Sequence, residues 1–224
     1  MSRPDQRTAI LLGASGLVGG FCLRALVDDP GYARVMVFGR RQPAGVTHAK
    51  VSQRIADLAG ITAAEFLGAQ DVFIALGTTI RKAGSQAEFR RIDLQMPLRL
   101  ASEAVTAGAE QLVIVSSVGA DPGSRNFYLR TKGELEQQLA TLPFKAIHIL
   151  RPSLLTGKRA EFRLGEVLAM GIAPALNLLT RGPFRRYHSV SAELVGKAMV
   201  AAVRSRKAGT FIYEYGEIMK LARA

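Results

Sequence analysis

A tyrosine and a lysine stand four positions apart in the segment Tyr128-Leu129-Arg130-Thr131-Lys132. Residues at i and i+4 share one face of a helix, so the phenol and the ammonium would lie side by side. A nearby ammonium favours the phenolate form of a tyrosine, and such a phenol can give or take a proton. The spacing therefore indicates acid–base chemistry by Tyr128 and Lys132. An exposed helical pair without a function would have the same spacing.

Two serines precede this segment. Ser116 and Ser117 follow the apolar run Gln111–Val115 and come eleven to twelve residues before Tyr128. A hydroxyl at the carboxyl end of a strand can donate a hydrogen bond to a substrate carbonyl or to a phenolate. We expect Ser116 or Ser117 to contribute to the site, and the sequence leaves open which of them does. A turn or capping serine is the alternative for each.

A glycine-rich loop follows the first apolar run. Its sequence is Gly13-Ala14-Ser15-Gly16-Leu17-Val18-Gly19, with the spacing G-x-x-G-x-x-G. Glycines allow backbone N–H groups to approach a phosphate, and the N-terminus of the following helix favours negative charge. Because the loop lies at the first strand-to-helix turn, we interpret it as a dinucleotide site. The candidate cofactor-binding residues here are Gly13, Ser15, Gly16, Leu17, Val18 and Gly19.

The second apolar run ends in Phe38-Gly39-Arg40-Arg41. Sites that prefer NAD place an acidic residue here to bind the ribose hydroxyls. Arg40 and Arg41 suit the 2′-phosphate of NADP instead, because guanidinium groups bind phosphate bidentately. We therefore predict that NADP(H) is preferred over NAD(H). A solvated basic strand end is the other interpretation.

Two further segments are candidates for cofactor contacts. Asp57 and Leu58 follow the third run, where a carboxylate could accept a hydrogen bond from the adenine amino group. Leu76, Gly77 and Thr78 end the fourth run, where a glycine would let the cofactor pass close to the backbone. An ordinary loop or turn explains each segment as well.

The candidate residues lie at the ends of apolar runs or in the helix-like stretches that alternate with these runs, a pattern that indicates an α/β fold. The 224 residues are 48% hydrophobic and 21% charged, which is typical of a globular chain rather than a disordered one. Helix-like stretches, including 86–107 and 127–139, separate short apolar runs, which predicts a doubly wound parallel sheet. The predicted strands are Thr8–Leu12, Arg34–Phe38, Lys50–Gln53, Asp71–Leu76, Gln111–Val115, Lys145–Leu150 and Thr210–Glu214.

The pattern changes at residue 152. We expect one domain over residues 1–224, with a small substrate lobe at 152–190. Ser191 then has the character of an N-cap, with Glu193 in the first turn of a helix that ends near Val203. The lobe is rich in basic residues, which favours a small, anionic substrate, although solvated charges explain them equally. These residues are Lys158, Arg159, Arg163, Arg181, Arg185 and Arg186.

Composition limits the other functions. The net charge is +12, from 30 basic and 18 acidic residues, but we find no nucleic-acid-binding motif. The single Cys22 excludes an internal disulfide, and with three scattered histidines we expect no metal site. We expect no signal peptide, no membrane helix and a buried Cys22 in a reducing, cytoplasmic location. A homodimer is common for such folds, and nothing in the sequence measures an interface.

The chain resembles a short-chain dehydrogenase/reductase of the atypical branch that contains the Tat-interacting-protein-like oxidoreductases. The resemblance is carried by GASGLVG, VSSVGAD, YLRTK and LRPSLLTG, and by GTTIRKAGSQAEFRRIDLQMPLRLA. It implies a Rossmann fold that binds NADP(H), with Lys132 on the nicotinamide ribose and the loop beginning at Pro152 near the nicotinamide. It also implies a catalytic set of Ser117 or Ser116, Tyr128 and Lys132. Asp93 stands where many relatives have an asparagine, which departs from their usual proton relay.

We therefore expect an NADP(H)-dependent oxidoreductase that acts on a carbonyl or an alcohol. Two alternatives stay open. One is an NADPH-binding sensor without turnover, since a fold does not determine a function. The other is a nucleotide-sugar epimerase or dehydratase, which would use the same tyrosine and lysine. The chain is short for that class, whose members carry a larger C-terminal lobe.

Overall fold

The computed structural model describes residues 6–41, 47–156 and 186–224. Its main sheet has seven parallel strands in the order β3-β2-β1-β4-β5-β6-β9, and β7 pairs with β8 in a second, two-stranded sheet. The strands of the described part are β1 (Arg7–Leu12), β2 (Tyr32–Gly39), β3 (Val51–Ile55), β4 (Asp71–Ile74), β5 (Gln111–Val115), β6 (Ala146–Leu150), β7 (Leu155–Thr156), β8 (Val190–Ser191) and β9 (Gly209–Tyr213).

Helices cover both faces of the sheet. The α-helices of the described part are α1 (Leu17–Asp28), α2 (Ile80–Ala83), α3 (Gln86–Arg90), α4 (Met96–Thr106), α5 (Phe127–Leu139), α6 (Ala192–Ala202) and α7 (Tyr215–Leu221). A π-helical turn, Arg91–Gln95, joins α3 to α4. Short 3-10 helices are Leu58–Gly60, Ala63–Phe66 and Val203–Ser205. This architecture confirms the predicted doubly wound parallel sheet of the Rossmann type.

Successive residues of the strands enter two different cores. In β1, Ala9 and Leu11 pack with α1 and α6, whereas Ile10 and Leu12 pack on the opposite face with α4 and α5. All four side chains are buried because both faces of a parallel sheet are covered. Cys22 lies in the first core, as expected, and burial raises the pKa of its thiol.

The order of the strands places the predicted site. The chain winds one way from β1 through β2 to β3, and the other way from β4 onwards. The carboxyl ends of β1 and β4 therefore adjoin at the point where the winding reverses. Ligands of open α/β sheets bind in the crevice at such a point. The glycine loop follows β1, and Leu76–Thr78 follow β4.

The predicted strands agree with the structure to within about two residues at their ends, and one predicted helix needs a correction. Strand β5 and helix α5 have the predicted bounds, and Ser191 caps α6 by accepting a hydrogen bond from Leu194 N–H. The single helix predicted over 86–107 is interrupted by the π-helical turn. Pro97 has no N–H to donate to the carbonyl of Asp93, and Met96 N–H donates instead to Arg91, five residues back.

The predicted lobe 152–190 lies largely outside the described residues. Of its basic residues, the structure describes Arg186, which is exposed and stacks over the ring of Tyr187 at 5.0 Å. Among the described helices, none is long and apolar enough to cross a membrane. Within the same ranges, no group of three or more metal-binding side chains comes together.

Candidate cofactor and catalytic site

A cavity of about 690 Å³ opens where β1 and β4 end. Eleven residues predicted to bind the cofactor line it, namely Gly13, Ser15, Gly16, Leu17, Arg40, Arg41, Asp57, Leu58, Leu76, Gly77 and Thr78. As lined by the described residues, it does not include Ser116, Ser117, Tyr128, Lys132 or Pro152. The cavity therefore gathers the dinucleotide-binding candidates and leaves the catalytic candidates beside it.

The glycine loop has the shape of a phosphate cradle. Gly13 has a φ of +94°, and a Cβ on it would lie 2.6 Å from the carbonyl oxygen of Ala75. Gly16 caps α1, and within the described residues no side chain caps that helix and no acid occupies its first turn. The first N–H groups of α1 and the positive end of its dipole thus face the cavity, which fits a dinucleotide phosphate.

Val18 and Gly19 build the loop rather than line the cavity. Val18 is buried in the core, and a Cβ on Gly19 would stand 2.1 Å from the carbonyl oxygen of Gly13. Only a residue without a side chain lets α1 approach the loop so closely. Both residues were predicted cofactor contacts, and the structure shows them packing against protein.

Basic side chains also line the cavity. Arg40 and Arg41 are exposed at the end of β2, and Lys82 and Arg91 line the same space from α2 and the π-helical turn. Glu88 accepts two hydrogen bonds from Arg91, at 2.8 and 2.6 Å. Sequence reasoning missed Lys82 and Arg91. The sequence shows two basic pairs, Arg81-Lys82 and Arg90-Arg91. It does not show which of these side chains face the cavity.

The Asp57 carboxylate has a local partner. It accepts a hydrogen bond from Ala59 N–H at 3.2 Å and caps the 3-10 helix Leu58–Gly60. Leu58 is buried, and its carbonyl accepts a hydrogen bond from the Arg99 guanidinium. Asp57 is nevertheless exposed and lines the cavity, so its second oxygen is available for the predicted adenine contact.

Tyr128 and Lys132 lie one turn apart on α5, as predicted. Asn126 begins this helix by accepting a hydrogen bond from Leu129 N–H. The half-buried Tyr128 ring packs against Phe89 of α3, with 5.6 Å between the ring centroids. Lys132 is 4% exposed, and its Nζ lies 2.6 Å from Oδ1 of Asp93.

Asp93 joins the two parts of the site. Its Oδ2 accepts a hydrogen bond from Thr78 N–H at 2.8 Å, while its Oδ1 binds Lys132. Thr78 lines the cavity, and Asp93 is 1% exposed. One buried carboxylate therefore connects the loop after β4 to the lysine of α5.

The two serines differ in their partners. Ser116 Oγ donates a hydrogen bond to Glu136, which also binds Arg151. Within the described residues, Ser117 Oγ makes a long contact of 3.4 Å to the carbonyl of Val118. The Ser116 hydroxyl is thus engaged by the Glu136–Arg151 ion pair, whereas the Ser117 hydroxyl has a weaker contact.

Pro152 follows β6 at the same edge of the sheet. It is buried, and its carbonyl accepts a hydrogen bond from Val118 N–H at 3.0 Å. This bond extends the β5–β6 pairing beyond the strands and fixes the backbone on both sides of Ser117. Gly133 of α5 lets the loop after β5 approach the helix closely, because a Cβ there would lie 2.2 Å from the backbone of Asp121. The loop after β5 thus rests directly on α5.

Comparison with known proteins agrees with this architecture. The sequence matches the NAD dependent epimerase/dehydratase family over residues 9–177. The fmp52 protein of Emericella nidulans is 33% identical over 199 residues, which span 86% of this chain and 85% of the relative. HTATIP2 of Rattus norvegicus is 35% identical over 169 residues, spanning 74% of this chain and 69% of the relative.

Solved structures share the fold. A Bacillus halodurans protein described as an NAD-dependent epimerase/dehydratase has a TM-score of 0.68 at 20% identity, covering 97% of this chain and 99% of its own. MoeE5, solved in complex with UDP-glucose and NAD, has a TM-score of 0.68 at 18% identity, covering 96% of this chain and 80% of its own.

The prediction of a cytoplasmic location is wrong. The fungal relatives from Emericella nidulans and Saccharomyces cerevisiae are named as mitochondrial proteins. The prediction rested on a buried thiol and a polar N-terminal stretch. A buried thiol is compatible with any reducing compartment and therefore does not specify one.

The relatives and the fold confirm the resemblance on which the site was interpreted. The family match covers well over half of the chain, and HTATIP2 stands among the relatives. Enzymes of this family depend on NAD for oxidoreductase-like chemistry, and the glycine loop has the shape that such a cofactor needs. The chain belongs to the NAD-dependent epimerase/dehydratase family, as an atypical member of the short-chain dehydrogenase/reductase type.

Proposed function

We propose that this protein is an NADP(H)-dependent oxidoreductase that interconverts a carbonyl and an alcohol in a small molecule. One observation carries the proposal: Lys132 is linked through the Asp93 carboxylate to Thr78, which lines the cavity beside the glycine loop. This link supports the proposal because it connects α5, which carries Tyr128, to the wall of the cavity. A hydride-transferring enzyme needs these two components side by side.

The arginines at the end of β2 support a preference for NADP(H). Arg40 and Arg41 are exposed beside the cavity, and the sequence 38–41 contains no acid that would bind ribose hydroxyls. Glu88 occupies the guanidinium of Arg91. We therefore assign the 2′-phosphate to Arg40 and Arg41, and we assign to Lys82 and Arg91 the general positive potential of the cavity.

Residues of α5 and of the loop after β5 supply the acid–base chemistry. A bound nicotinamide dinucleotide provides the hydride donor or acceptor. In reduction, the Tyr128 hydroxyl gives its proton to the substrate oxygen, and in oxidation it takes that proton back. Ser117 donates a hydrogen bond to the same oxygen. Lys132 binds the ribose hydroxyls.

The substrate is proposed to be a small molecule bound with the help of residues 152–190. An anionic group would suit the basic residues of that segment, of which Arg186 is the described member. We propose neither nucleic acid nor membrane as a partner, and a homodimer stays a prediction.

A nucleotide-sugar epimerase or dehydratase is a second candidate. The matched family carries that name, and MoeE5 was solved with UDP-glucose and NAD. The match covers 80% of MoeE5 at 18% identity. A cofactor-binding sensor is the remaining alternative. Such a protein would not need Tyr128 as a proton donor.

The decisive experiment measures cofactor binding first and turnover second. Titration with NADPH and NADH, followed by nicotinamide fluorescence, should show binding of NADPH at least about tenfold tighter, since one good phosphate contact contributes more than 1.4 kcal/mol. Equal affinities would refute the NADP(H) preference. Absence of binding to either cofactor would refute the oxidoreductase and the sensor together.

Turnover is then measured with neutral and anionic aldehydes, ketones and keto acids, and with UDP-sugars. Tyr128→Phe should lower reduction by about 10²- to 10⁴-fold while leaving the affinity for NADPH unchanged. Unchanged reduction by this variant would refute the assigned proton donor. Conversion of UDP-sugars without net consumption of cofactor would favour the epimerase.

A further inference from the structure

We propose that Asp93 is a positioning residue that couples the cofactor loop after β4 to Lys132, so that the lysine is held where the nicotinamide ribose binds. The inference rests on the proposed function. It goes beyond that function by assigning a role to Asp93, which takes no part in the proposed proton transfer.

Both oxygens of the Asp93 carboxylate have hydrogen-bond partners. Oδ1 of Asp93 lies 2.6 Å from Lys132 Nζ, and Oδ2 lies 2.8 Å from the backbone nitrogen of Thr78. The Asp93 and Lys132 side chains are 1% and 6% exposed. A buried ammonium requires a compensating charge, and here that charge also holds the backbone of the cavity wall.

The neighbouring charges on α5 have other partners. Glu134 binds Arg90 at 2.6 Å, and Glu136 binds Arg151 at 2.5 Å. Arg130 lies 4.0 Å from Glu134. Lys132 forms its salt bridge with Asp93. An ammonium has three donors, and one of them is bound to Asp93.

The π-helical turn explains how Asp93 reaches this position. A π turn contains one more residue than an α turn, so it changes which side chains face α5. Pro97 favours that turn because it cannot donate to the carbonyl of Asp93. Phe89, just before the turn, packs against Tyr128. The same helical run thus contacts both members of the Tyr128–Lys132 pair.

Two ligands separate this coupling from general effects on the site. NADP⁺ contains the nicotinamide ribose that Lys132 would bind, whereas 2′,5′-ADP contains only the adenosine half with its 2′-phosphate. Isothermal titration of Asp93→Asn should show at least about a tenfold loss of affinity for NADP⁺, with the affinity for 2′,5′-ADP within about threefold of the wild type.

Asp71→Asn is the matched control. Asp71 is also a buried carboxylate with a basic partner, Arg7, but it lies at the start of β4 rather than beyond its end. Its substitution should leave both affinities within about threefold of the wild type. A double-mutant cycle with Lys132→Met adds a second readout. If Asp93 acts through Lys132, Asp93→Asn should have little further effect on NADP⁺ affinity in that background.

A second variant keeps the proposal testable should Asp93→Asn fail to fold. Asp93→Glu keeps the negative charge but displaces its oxygens by one methylene, and it should also lose NADP⁺ affinity selectively. Equal losses for both ligands, wild-type affinity for NADP⁺ or additive effects with Lys132→Met would each overturn the coupling. Failure of the wild type to bind either ligand would overturn the proposed function itself, and the coupling with it.

Discussion

Gly13 and Ala75 approach each other so closely that a Cβ on Gly13 would stand 2.6 Å from the Ala75 carbonyl oxygen. Gly13 follows β1, and Ala75 follows β4. Their contact brings the glycine loop directly against the end of the neighbouring strand. The floor of the cavity therefore depends on the absence of one side chain.

Gly13→Ala should weaken both folding and cofactor binding. The φ of +94° at this position strains any residue with a Cβ, and the new methyl group would collide with backbone. We expect a loss of about 1–3 kcal/mol in the free energy of unfolding and at least about tenfold weaker binding of NADPH. Urea unfolding and fluorescence titration measure the two effects.

Gly20→Ala is the matched control for this change. A Cβ there would lie 3.5 Å from the carbonyl of Ala14, an ordinary contact. Since Gly20 lies inside α1, alanine should stabilise the protein by up to about 1 kcal/mol and leave NADPH affinity unchanged. Wild-type behaviour of Gly13→Ala would contradict the assigned role of the loop.

Replacement of both Arg40 and Arg41 by alanine should abolish the preference for NADPH. The two guanidinium groups are the proposed ligands of the 2′-phosphate, which NADH lacks. We expect NADPH affinity to fall by at least about tenfold and NADH affinity to change by less than about threefold.

Arg34→Ala provides the comparison for those arginines, because Arg34 is exposed near the beginning of the same strand, β2. This substitution removes a positive charge that does not line the cavity, so the affinities for NADPH and NADH should both stay near those of the wild type. A parallel loss of NADPH and NADH affinity in the double variant would show that the arginines do not read the 2′-phosphate.

The buried Asp71 carboxylate should be a major stabilising group. It accepts hydrogen bonds from Arg7 and from the Tyr32 hydroxyl, each at 2.8 Å, and from Gln111 at 3.0 Å. Asp71→Asn breaks a buried pair and leaves Arg7 without its main counter-charge, which should cost about 3–5 kcal/mol in the free energy of unfolding.

The exposed pair of Arg54 and Glu65 offers the contrast. Its atoms are 3.1 Å apart, but the Arg54 side chain is 63% exposed. Arg54→Met should change the free energy of unfolding by less than about 1 kcal/mol, because water screens such pairs. Comparable effects of the Asp71 and Arg54 variants would contradict the importance assigned to burial.

His148 should make stability fall in mild acid. The side chain is buried in β6 between Tyr213 and Gln111, and burial lowers its pKa from 6.5 to about 4. Between pH 6.5 and pH 4 the unfolded chain binds a proton that the folded chain does not. The free energy of unfolding attributable to His148 therefore decreases as the pH falls through this range, by up to about 3 kcal/mol.

The measurement compares wild type with His148→Gln in urea at several pH values. The difference between their unfolding free energies should change between pH 6.5 and pH 4 and stay constant above pH 7. Since carboxylates titrate in both proteins, their contribution cancels in the difference. A constant difference over the whole range would show that His148 titrates normally.

Much of the framework could be predicted because it depends on neighbours in sequence. Strand β5 and helix α5 have their predicted bounds, since apolar runs and helical spacing are local patterns. The glycine loop was recognised because its spacing and its place after a strand are both visible in the chain.

The sequence by itself determined the parallel α/β fold, the glycine cradle and the Tyr128–Lys132 pair. Only the tertiary structure decided that Asp93 binds Lys132 across 39 residues, that Glu136 engages Ser116, and that Lys82 and Arg91 face the cavity. The physical reason is the range of the interactions. Local backbone geometry follows from residue types a few positions apart, whereas the partner of a buried charge depends on which helix faces it after the chain has folded.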